Sequence, residues 1–256
     1  MAKGKVVTST SMTKWDEKLA ALAASSKKLV NELGGGGNFI SIRTGVLSTA
    51  EGNIPGNKMK VIVLHQIMEN DWYESNFDPD TPVSPNCYAF GDTLAEMRPH
   101  ENCSDPQGGP EGGCRGCPKN EFGTADRGKG KACQNRVRMA LITADDLKNG
   151  AKAEIRYLKI PPTNLKTWRG YVNQVETTFQ LPPLGVVTEI AVGPDPKNQV
   201  RVDYSLVGPV DKGSIGELLQ LQERAAREIA FPYPEMTEEQ APMKKPAPGK
   251  KPKFVR

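Results

Sequence analysis

The feature that most constrains this chain is a cluster of four cysteines in a segment too polar to build a hydrophobic core. The four fall within 31 residues, at Cys103, Cys114, Cys117 and Cys133, and the ten residues after the first read SDPQGGPEGG. Such a segment cannot bury enough apolar surface to offset the entropy lost on ordering. Four thiolates around one zinc ion can supply the missing folding free energy, on the order of 10 kcal/mol. We therefore predict a closed, structural Zn²⁺ site on these four cysteines.

The spacing of the cysteines supports a zinc knuckle but leaves the ligand set open. The middle two form a C-x2-C pair, separated by ten residues from the first cysteine and by fifteen from the fourth. Ordinary buried cysteines are one alternative. A redox C-x2-C pair is another, although the strand-to-helix context of such pairs is missing. Either Cys87 or His100 could replace Cys103 as a ligand.

The cysteine segment runs into a strongly basic stretch. Between residues 114 and 138, seven cations face only two carboxylates, which gives this stretch a net charge of +5, against +4 for the whole chain. The cations are Arg115, Lys119, Arg127, Lys129, Lys131, Arg136 and Arg138. Nucleic-acid phosphates are the natural partners of such a surface. The alternative is a solvated loop whose lysines only keep the protein in solution.

Aromatic side chains are the second requirement of a single-strand binder, because unpaired bases stack on them for about 1–3 kcal/mol each. We single out five candidates: Trp72, Tyr73, Phe122, Tyr157 and Trp168. The first two lie in a polar but acidic context, which would repel phosphate unless it is folded away. The last two lie near further lysines and arginines. We expect these side chains to contribute to nucleic-acid binding together with the seven cations.

The composition and the hydrophobic pattern favour short strands. Only 37% of the residues are hydrophobic, and the chain has 25 glycines and 21 prolines. β-Branched or alternating runs predict strands at 39–47, 58–67, 87–90, 136–143, 153–160, 186–192 and 199–207, and helical spacing predicts helices at 163–175 and 214–230. We expect a mainly β fold with helices (α+β), namely an OB-like antiparallel barrel over residues 38–231 with a zinc insert at 91–135.

Two terminal segments flank the predicted barrel. Residues 1–37 contain an amphipathic helix and a hinge of four glycines, and this helix could dock on a second copy of the chain or on its own barrel. Residues 232–256 are rich in proline and lysine, which predicts a disordered basic tail. Because no apolar run is long enough for a bilayer and the N-terminus lacks a signal-like apolar core, we expect no membrane partner and a reducing, cytoplasmic setting.

No catalytic signature is found in the sequence. The phosphate-binding loop G-x-x-x-x-G-K-[ST], the nucleophile elbow G-x-S-x-G and the zinc-protease motif H-E-x-x-H are all missing. The chain has only two histidines, so general acid–base chemistry would have to use carboxylates or lysines. We therefore expect a binding protein and not an enzyme.

Two runs carry a resemblance to a known family. The segment CRGCPKNEFGTADRGKGKAC from Cys114 to Cys133, with the upstream YESNFDPDTPVSPNCYAFG from Tyr73 to Gly91, resembles bacteriophage single-stranded-DNA-binding proteins of replication modules. The resemblance covers about residues 38–210, and its specific part is the cysteine segment. It implies an OB-type barrel, zinc on the four cysteines named above, and largely sequence-independent coating of single-stranded DNA during phage replication or recombination.

The resemblance also bears on the partners. It implies action in the cytoplasm of an infected host, where replication proteins could be further partners. Many members of the family recruit them through an acidic C-terminal tail, but the last residues here are basic, so that route is not implied. The alternative function is a zinc-stiffened structural or interaction protein of a phage, either a virion component or an inhibitor of a host protein.

Overall fold

A computed structural model describes residues 38–74, 84–126 and 128–234, together with Lys18 in a helix. The rest of the predicted N-terminal helix, the glycine hinge, Arg127 and the basic tail from residue 235 onward lie outside the described residues. Within the described ranges, no helix is long and apolar enough to cross a membrane.

The described chain is a mixed α+β structure built on one strongly curled sheet of nine strands. The strands are β1 (Phe39–Arg43), β2 (Val46–Thr49), β3 (Gly52–Asn53), β4 (Lys58–Trp72), β5 (Cys87–Gly91), β6 (Gln134–Thr143), β7 (Arg156–Ile160), β8 (Val186–Asp195) and β9 (Gln199–Pro209). The helices are α1 (Leu165–Phe179) and α2 (Ile215–Glu228), and a 3-10 segment spans Ala144–Lys152. The predicted helices and strands are confirmed with boundaries that shift by up to five residues, with one exception. The single strand predicted at 39–47 is wrong, because a turn at Thr44 and Gly45 divides it into β1 and β2.

Strand β4 is the centre of the sheet. The strand order is β3-β2-β1-β7-β6-β4-β8-β9, and β5 pairs with the last residues of β4. All neighbouring strands are antiparallel except β1 and β7. The sheet curls so far that Gly45, in the β1–β2 turn, meets the far end of β8, where an added Cβ would lie 2.7 Å from the Pro194 nitrogen. This close approach makes the sheet a half-barrel.

Alternation along the strands gives the sheet two apolar faces. In β4, Val61 and Val63 point to the face covered by α1, whereas Ile62 and Leu64 point to the face covered by α2. Helix α2 buries Leu218 and the other residues of its apolar stripe against the second face. Leu219 of the same helix lies outside this stripe and is 49% exposed. Because both faces are covered there, the middle of β4 (Val61–Leu64) and of β6 (Met139–Ile142) are continuous apolar runs.

A β-bulge between Val63 and His65 changes which side chains of β4 face α2. One extra residue inverts the alternation, because side chains follow a period of two. After the bulge, Ile67, Glu69 and Asp71 share the α2 face, since Glu69 and Asp71 bond to arginines on that side of β6. The intervening residues of β4 therefore point to the opposite face, where the cysteines lie.

The side chains that follow the bulge build a buried ionic cluster. The Arg138 guanidinium donates from Nε to Glu69 Oε2 at 2.6 Å, and Lys159 Nζ lies 2.9 Å from the other oxygen of Glu69. Arg136 Nε donates to Asp71 Oδ2 at 2.9 Å. Burial alone would raise the pKa of Glu69, but the Arg138 hydrogen bond and the charges of Lys159 and Arg138 outweigh it and lower the pKa to about 2. Burial raises the pKa of Asp71, against the charge of Arg136.

The segment after α2 closes the ionic cluster. The Arg138 guanidinium donates to the carbonyl oxygens of Ile229 and Phe231, both at 3.0 Å, and lies 4.4 Å from the Phe231 ring. The Tyr233 hydroxyl donates to Glu69 and accepts from Lys159 Nζ at 2.6 Å. The predicted start of a disordered tail at residue 232 is therefore wrong for residues 232–234, which pack against the sheet.

Replacing Arg138 by methionine should destabilise the fold by about 3 kcal/mol. The substitution leaves the buried Glu69 carboxylate with only Lys159 as a cationic partner. The matched control is Arg201→Met, which removes an exposed ion pair with Asp203 and should cost no more than about 1 kcal/mol. Urea unfolding of the two variants measures the difference. Equal losses would show that the cluster does not anchor the fold.

The ionic cluster should also give the fold a defined sensitivity to acid. The pKa of Glu69 falls from 4.5 to about 2 on folding, so its charged form stabilises the protein above pH 4.5 by about 3 kcal/mol. That contribution is lost as the pH drops from 4.5 towards 2. In Glu69→Gln, the free energy of unfolding should fall less steeply over this range than in the wild type. The same slope in both proteins, measured by urea unfolding at each pH, would contradict this assignment.

Candidate metal centre and nucleic-acid interface

Four cysteines meet around one small cavity on the face of the β4–β5 hairpin opposite the ionic cluster. The cavity has a volume of about 10 Å³. Cys87 lies in β5, and Cys133 is the residue immediately before β6. Cys114 and Cys117 belong to the loop between these two strands. Asn70 and Trp72 of β4 form part of its wall. The cavity therefore lies between the sheet and the loop, and thiols from three separate parts of the chain line it.

Backbone hydrogen bonds fix the C-x2-C turn. Cys114 N donates to the Met97 carbonyl at 3.0 Å, and the Asn120 side chain donates to the Cys114 carbonyl at 3.2 Å. Gly116 has φ of 72°, a conformation that favours glycine and lets the chain reverse between the two cysteines. Cys133 N then donates to the Lys119 carbonyl at 2.8 Å. These bonds bring the end of the loop back beside its start.

Cys103, which the spacing favours as a ligand, lies outside this cavity. Its Sγ accepts a hydrogen bond from Tyr88 N at 3.2 Å and donates to the Tyr88 carbonyl at 3.4 Å. It lines a different cavity of about 210 Å³ beside Glu101 and Pro234. The other alternative ligand, His100, uses Nδ1 for the Tyr88 hydroxyl at 3.1 Å. Of the two alternatives to Cys103, only Cys87 faces the other three cysteines.

Three of the thiols that line the cavity hold their protons more firmly than a free cysteine does. All five cysteines are free of disulfide bonds. Burial raises the pKa of Cys87 to about 12, and burial also raises the pKa of Cys114 and of Cys133. Within the described ranges, no group of three or more His, Cys, Asp or Glu side chains is placed ready to hold a metal ion. Coordination would therefore require the thiols to lose protons and close on the cavity, as metal binding to thiols does in general.

The donor set suits zinc. Soft thiolates select zinc over magnesium and calcium, and four of them make a closed tetrahedral shell. A donor in the cavity wall also suits bound thiolates: Asn70 Nδ2 is buried there, and its interaction with the Cys114 thiol opposes the effect of burial on the pKa of that thiol. The Asn70 amide is held in place because its Oδ1 accepts from Asn135 at 2.6 Å. The residues present thus fit a thiolate-bound metal.

A compact loop of residues 118–131, the basic loop, follows the C-x2-C turn. Gly123 N donates to the Gly130 carbonyl at 2.8 Å, which closes the loop across its base. The Thr124 hydroxyl donates to the Glu121 carbonyl at 2.7 Å and accepts from Ala132 N at 3.0 Å. These contacts order a segment that has almost no apolar core of its own.

The basic loop presents an aromatic ring to solvent. Phe122 is 81% exposed, more than any other large hydrophobic residue in the described chain. Lys131 Nζ lies 5.1 Å from the centre of its ring and is held by the side-chain oxygens of Asn120 and Asn135 at 3.1 and 2.9 Å. The cation attracts the face of the ring and stays beside it, so the loop offers an aromatic surface and a positive charge at one place, the two features that bind a nucleobase and its phosphate.

The predicted cations separate into two groups. Arg115 and Lys129 are exposed, whereas Lys119 and Lys131 are half-buried at the loop, with Lys119 Nζ 4.5 Å from the centre of the Trp72 ring. Arg136 and Arg138 belong to the ionic cluster on the opposite face, and Arg127 lies outside the described residues. The net charge that the sequence assigns to this stretch is therefore an overestimate of its free charge. The sequence could not show this, since the neutralising carboxylates come from β4, about 65 residues upstream.

Three of the predicted contacts are withdrawn because their side chains are buried. Arg138 is 1% exposed in the ionic cluster. Trp168 packs in the core under α1, where Nε1 donates to Gln66 Oε1 at 2.7 Å. Trp72 is covered by Lys119 and the cysteine loop. None of these side chains can reach a bound strand in this structure.

The remaining predicted aromatics lie on the other side of the sheet from the basic loop. Tyr157 packs 4.8 Å from the Phe231 ring, and burial raises its pKa. Burial also raises the pKa of Tyr73, beside the carboxylate of Asp71. Both are partly accessible, but the segment that closes the ionic cluster lies over this region. Of the five aromatics, Phe122 alone stands out from the protein next to free cations.

Comparison with known proteins adds no family to these observations. No family model, no curated protein and no solved structure matches the chain. The thiol-lined cavity and the basic loop with its exposed ring are therefore interpreted from their own geometry.

Proposed function

We propose that this protein binds and coats single-stranded DNA through the basic loop, largely independently of sequence, and that zinc in the thiol-lined cavity holds this loop on the sheet. The observation that carries the proposal is the exposed Phe122 ring with Lys131 fixed beside it. Every base offers a π face and every nucleotide a phosphate, so a ring and cations bind a strand without reading its sequence. The role is one of binding, not of catalysis.

The charge balance of the loop makes the ring central to this proposal. The described residues in and next to the loop include four cations, Arg115, Lys119, Lys129 and Lys131. The carboxylates of Glu121 and Asp126 offset two of these charges, which leaves a net charge of +2. This charge is too small for affinity from phosphates alone. Stacking on Phe122 would therefore supply much of the binding free energy, with the cations orienting the backbone.

Zinc would act here as a structural element. Cys117 and Cys133, which line the cavity, flank the basic loop, so a metal bound there would set the position of Phe122 relative to the sheet. The chemistry that zinc supplies is a closed shell with no open position for a substrate. The residues of the chain do the binding: Phe122 stacks, and the exposed cations contact phosphates.

The scaffold and setting complete the proposal. The strongly curled sheet supports a barrel-type scaffold, for which we propose the OB type, with the cysteine loop inserted between β5 and β6. The resemblance of the cysteine segment to phage single-stranded-DNA-binding proteins supports a role in phage replication or recombination in the host cytoplasm. We further propose that residues 1–37 mediate contact between copies of the chain along a coated strand.

Replacing Phe122 by alanine should weaken binding of a labelled oligothymidine by roughly 5- to 150-fold, since one stacking contact is lost. Phe122→Trp should keep or improve the affinity. The matched control is Leu219→Ala, which also removes an exposed apolar side chain, but from α2. Fluorescence anisotropy gives the dissociation constants. Binding that is unchanged in Phe122→Ala would remove the observation on which the proposal rests.

The double variant Arg115→Ala/Lys129→Ala should flatten the salt dependence of binding. On a single strand, each phosphate contact contributes about 0.7 to the slope of the logarithm of the binding constant against the logarithm of the salt concentration. Loss of two contacts should therefore reduce the slope by about 1.4. Lys148→Ala/Lys152→Ala removes the same charge from an exposed site on the 3-10 segment and should leave the slope unchanged. Equal slopes in the two double variants would rule out the basic loop as the phosphate site. Absence of any oligonucleotide binding by the wild type would favour the phage interaction protein instead.

A further inference from the structure

We infer that the zinc ligands are Cys87, Cys114, Cys117 and Cys133, and that Cys103 remains an uncoordinated thiol. The family resemblance and the sequence spacing place Cys103 in the shell and leave Cys87 out. This inference rests on the zinc proposed above and deepens it by naming the chain segments that the metal joins.

The directions of the thiols favour Cys87 over Cys103 as a ligand. One cavity is lined by all four proposed ligands, and Cys103 lines another. Cys87 lies in β5, where its neighbour Tyr88 points to the opposite face of the sheet and stacks on His100. The alternation of a strand therefore fixes Cys87 towards the cysteine loop. No rearrangement of the sheet is needed to bring its sulfur to the metal.

Donors that suit bound thiolates are placed around the cavity. Gln107 N donates to Cys87 Sγ at 3.2 Å. Asn70 Nδ2, buried in the same cavity wall, interacts with the Cys114 thiol. N–H groups directed at sulfur are the usual outer partners of a zinc–thiolate site. The Lys119 side chain also lines the cavity, and its cation offsets the net negative charge of a four-thiolate zinc centre.

Cys103 lies beside the four thiols but outside the cavity that they line. It packs against Cys87 and Cys133, and its sulfur is hydrogen-bonded to both backbone groups of Tyr88, at 3.2 and 3.4 Å. Its other side borders the larger cavity, with Glu101 and Asn102. Cys103 is therefore placed as an outer neighbour of Cys87 and not as a fourth ligand. Its half-buried position leaves it open to reagents from solvent.

The assignment ties the basic loop to the sheet at two points. Cys87 belongs to β5, and Cys133 directly precedes β6. These two strands pair with the C-terminal end of β4 from its two sides. The C-x2-C turn joins them from the loop. Binding of the metal would therefore hold the cysteine segment against β5 and β6, on the face opposite the ionic cluster, and fix Phe122 at one place relative to the sheet.

The test is the zinc content of the full-length protein and of two matched variants, Cys103→Ser and Cys87→Ser. By elemental analysis, the wild type and Cys103→Ser should each hold one zinc per chain, with affinities within about twofold in competition with a chromophoric chelator. Cys87→Ser should bind zinc more than tenfold more weakly, and Asn70→Ala roughly 10- to 100-fold more weakly. Loss of zinc in Cys103→Ser with retention in Cys87→Ser would overturn the assignment.

A measurement on the unmutated protein covers the case in which Cys87→Ser fails to fold. Iodoacetamide followed by peptide mass spectrometry should modify Cys103 alone in the zinc-loaded protein, and all five cysteines after a chelator under denaturing conditions. Protection of Cys103 with reaction at Cys87 would overturn the assignment while leaving the zinc in place. A wild type that purifies and refolds with no zinc would instead show that the proposed metal is wrong, whatever the outcome of the DNA-binding measurements.

Discussion

The β-bulge between Val63 and His65 is the constraint on which the rest of the structure depends. It inverts the alternation of β4, so that the acidic residues after it point to the α2 face and Asn70 and Trp72 point to the other. Without it, two carboxylates would point into the thiol-lined cavity, where their charge would oppose thiolate formation. The bulge thus separates an ionic cluster from a thiol cluster across the thickness of a single sheet.

The ionic cluster explains how a sheet with both faces covered can carry so many charges at its centre. Each buried carboxylate has a cationic partner on the neighbouring strand, and the Arg138 guanidinium lies between the Phe90 and Phe231 rings at 4.3 and 4.4 Å. A buried charge without such partners would cost several kcal/mol. The same cluster leaves two of the predicted arginines unavailable to a ligand at the basic loop, and for this reason the proposed binding gives the Phe122 ring as much weight as charge.

The sequence predicts the regular elements well and the site only in part. Alternating apolar residues reveal the strands and both helices, because those residues build the two cores directly. The last five residues of β4 are missed, because Glu69, Asn70 and Asp71 are polar residues that become buried only through partners far along the chain. The cysteine spacing identifies a thiol cluster but favours Cys103, since linear distance does not reveal that Cys87 lies on the same side of the sheet as the other three. Likewise, nothing local distinguishes a buried Arg138 from an exposed Lys129.

The central claim is that a metal-clamped basic loop receives the strand. Hydrogen–deuterium exchange of the full-length protein, with and without oligothymidine and with and without a chelator, tests it most directly. The account predicts that the oligonucleotide slows exchange chiefly in residues 118–131. It also predicts that the chelator speeds exchange in those residues and at β5, while residues 229–234 stay protected throughout. Protection by the oligonucleotide elsewhere on the sheet, with residues 118–131 unchanged, would contradict it.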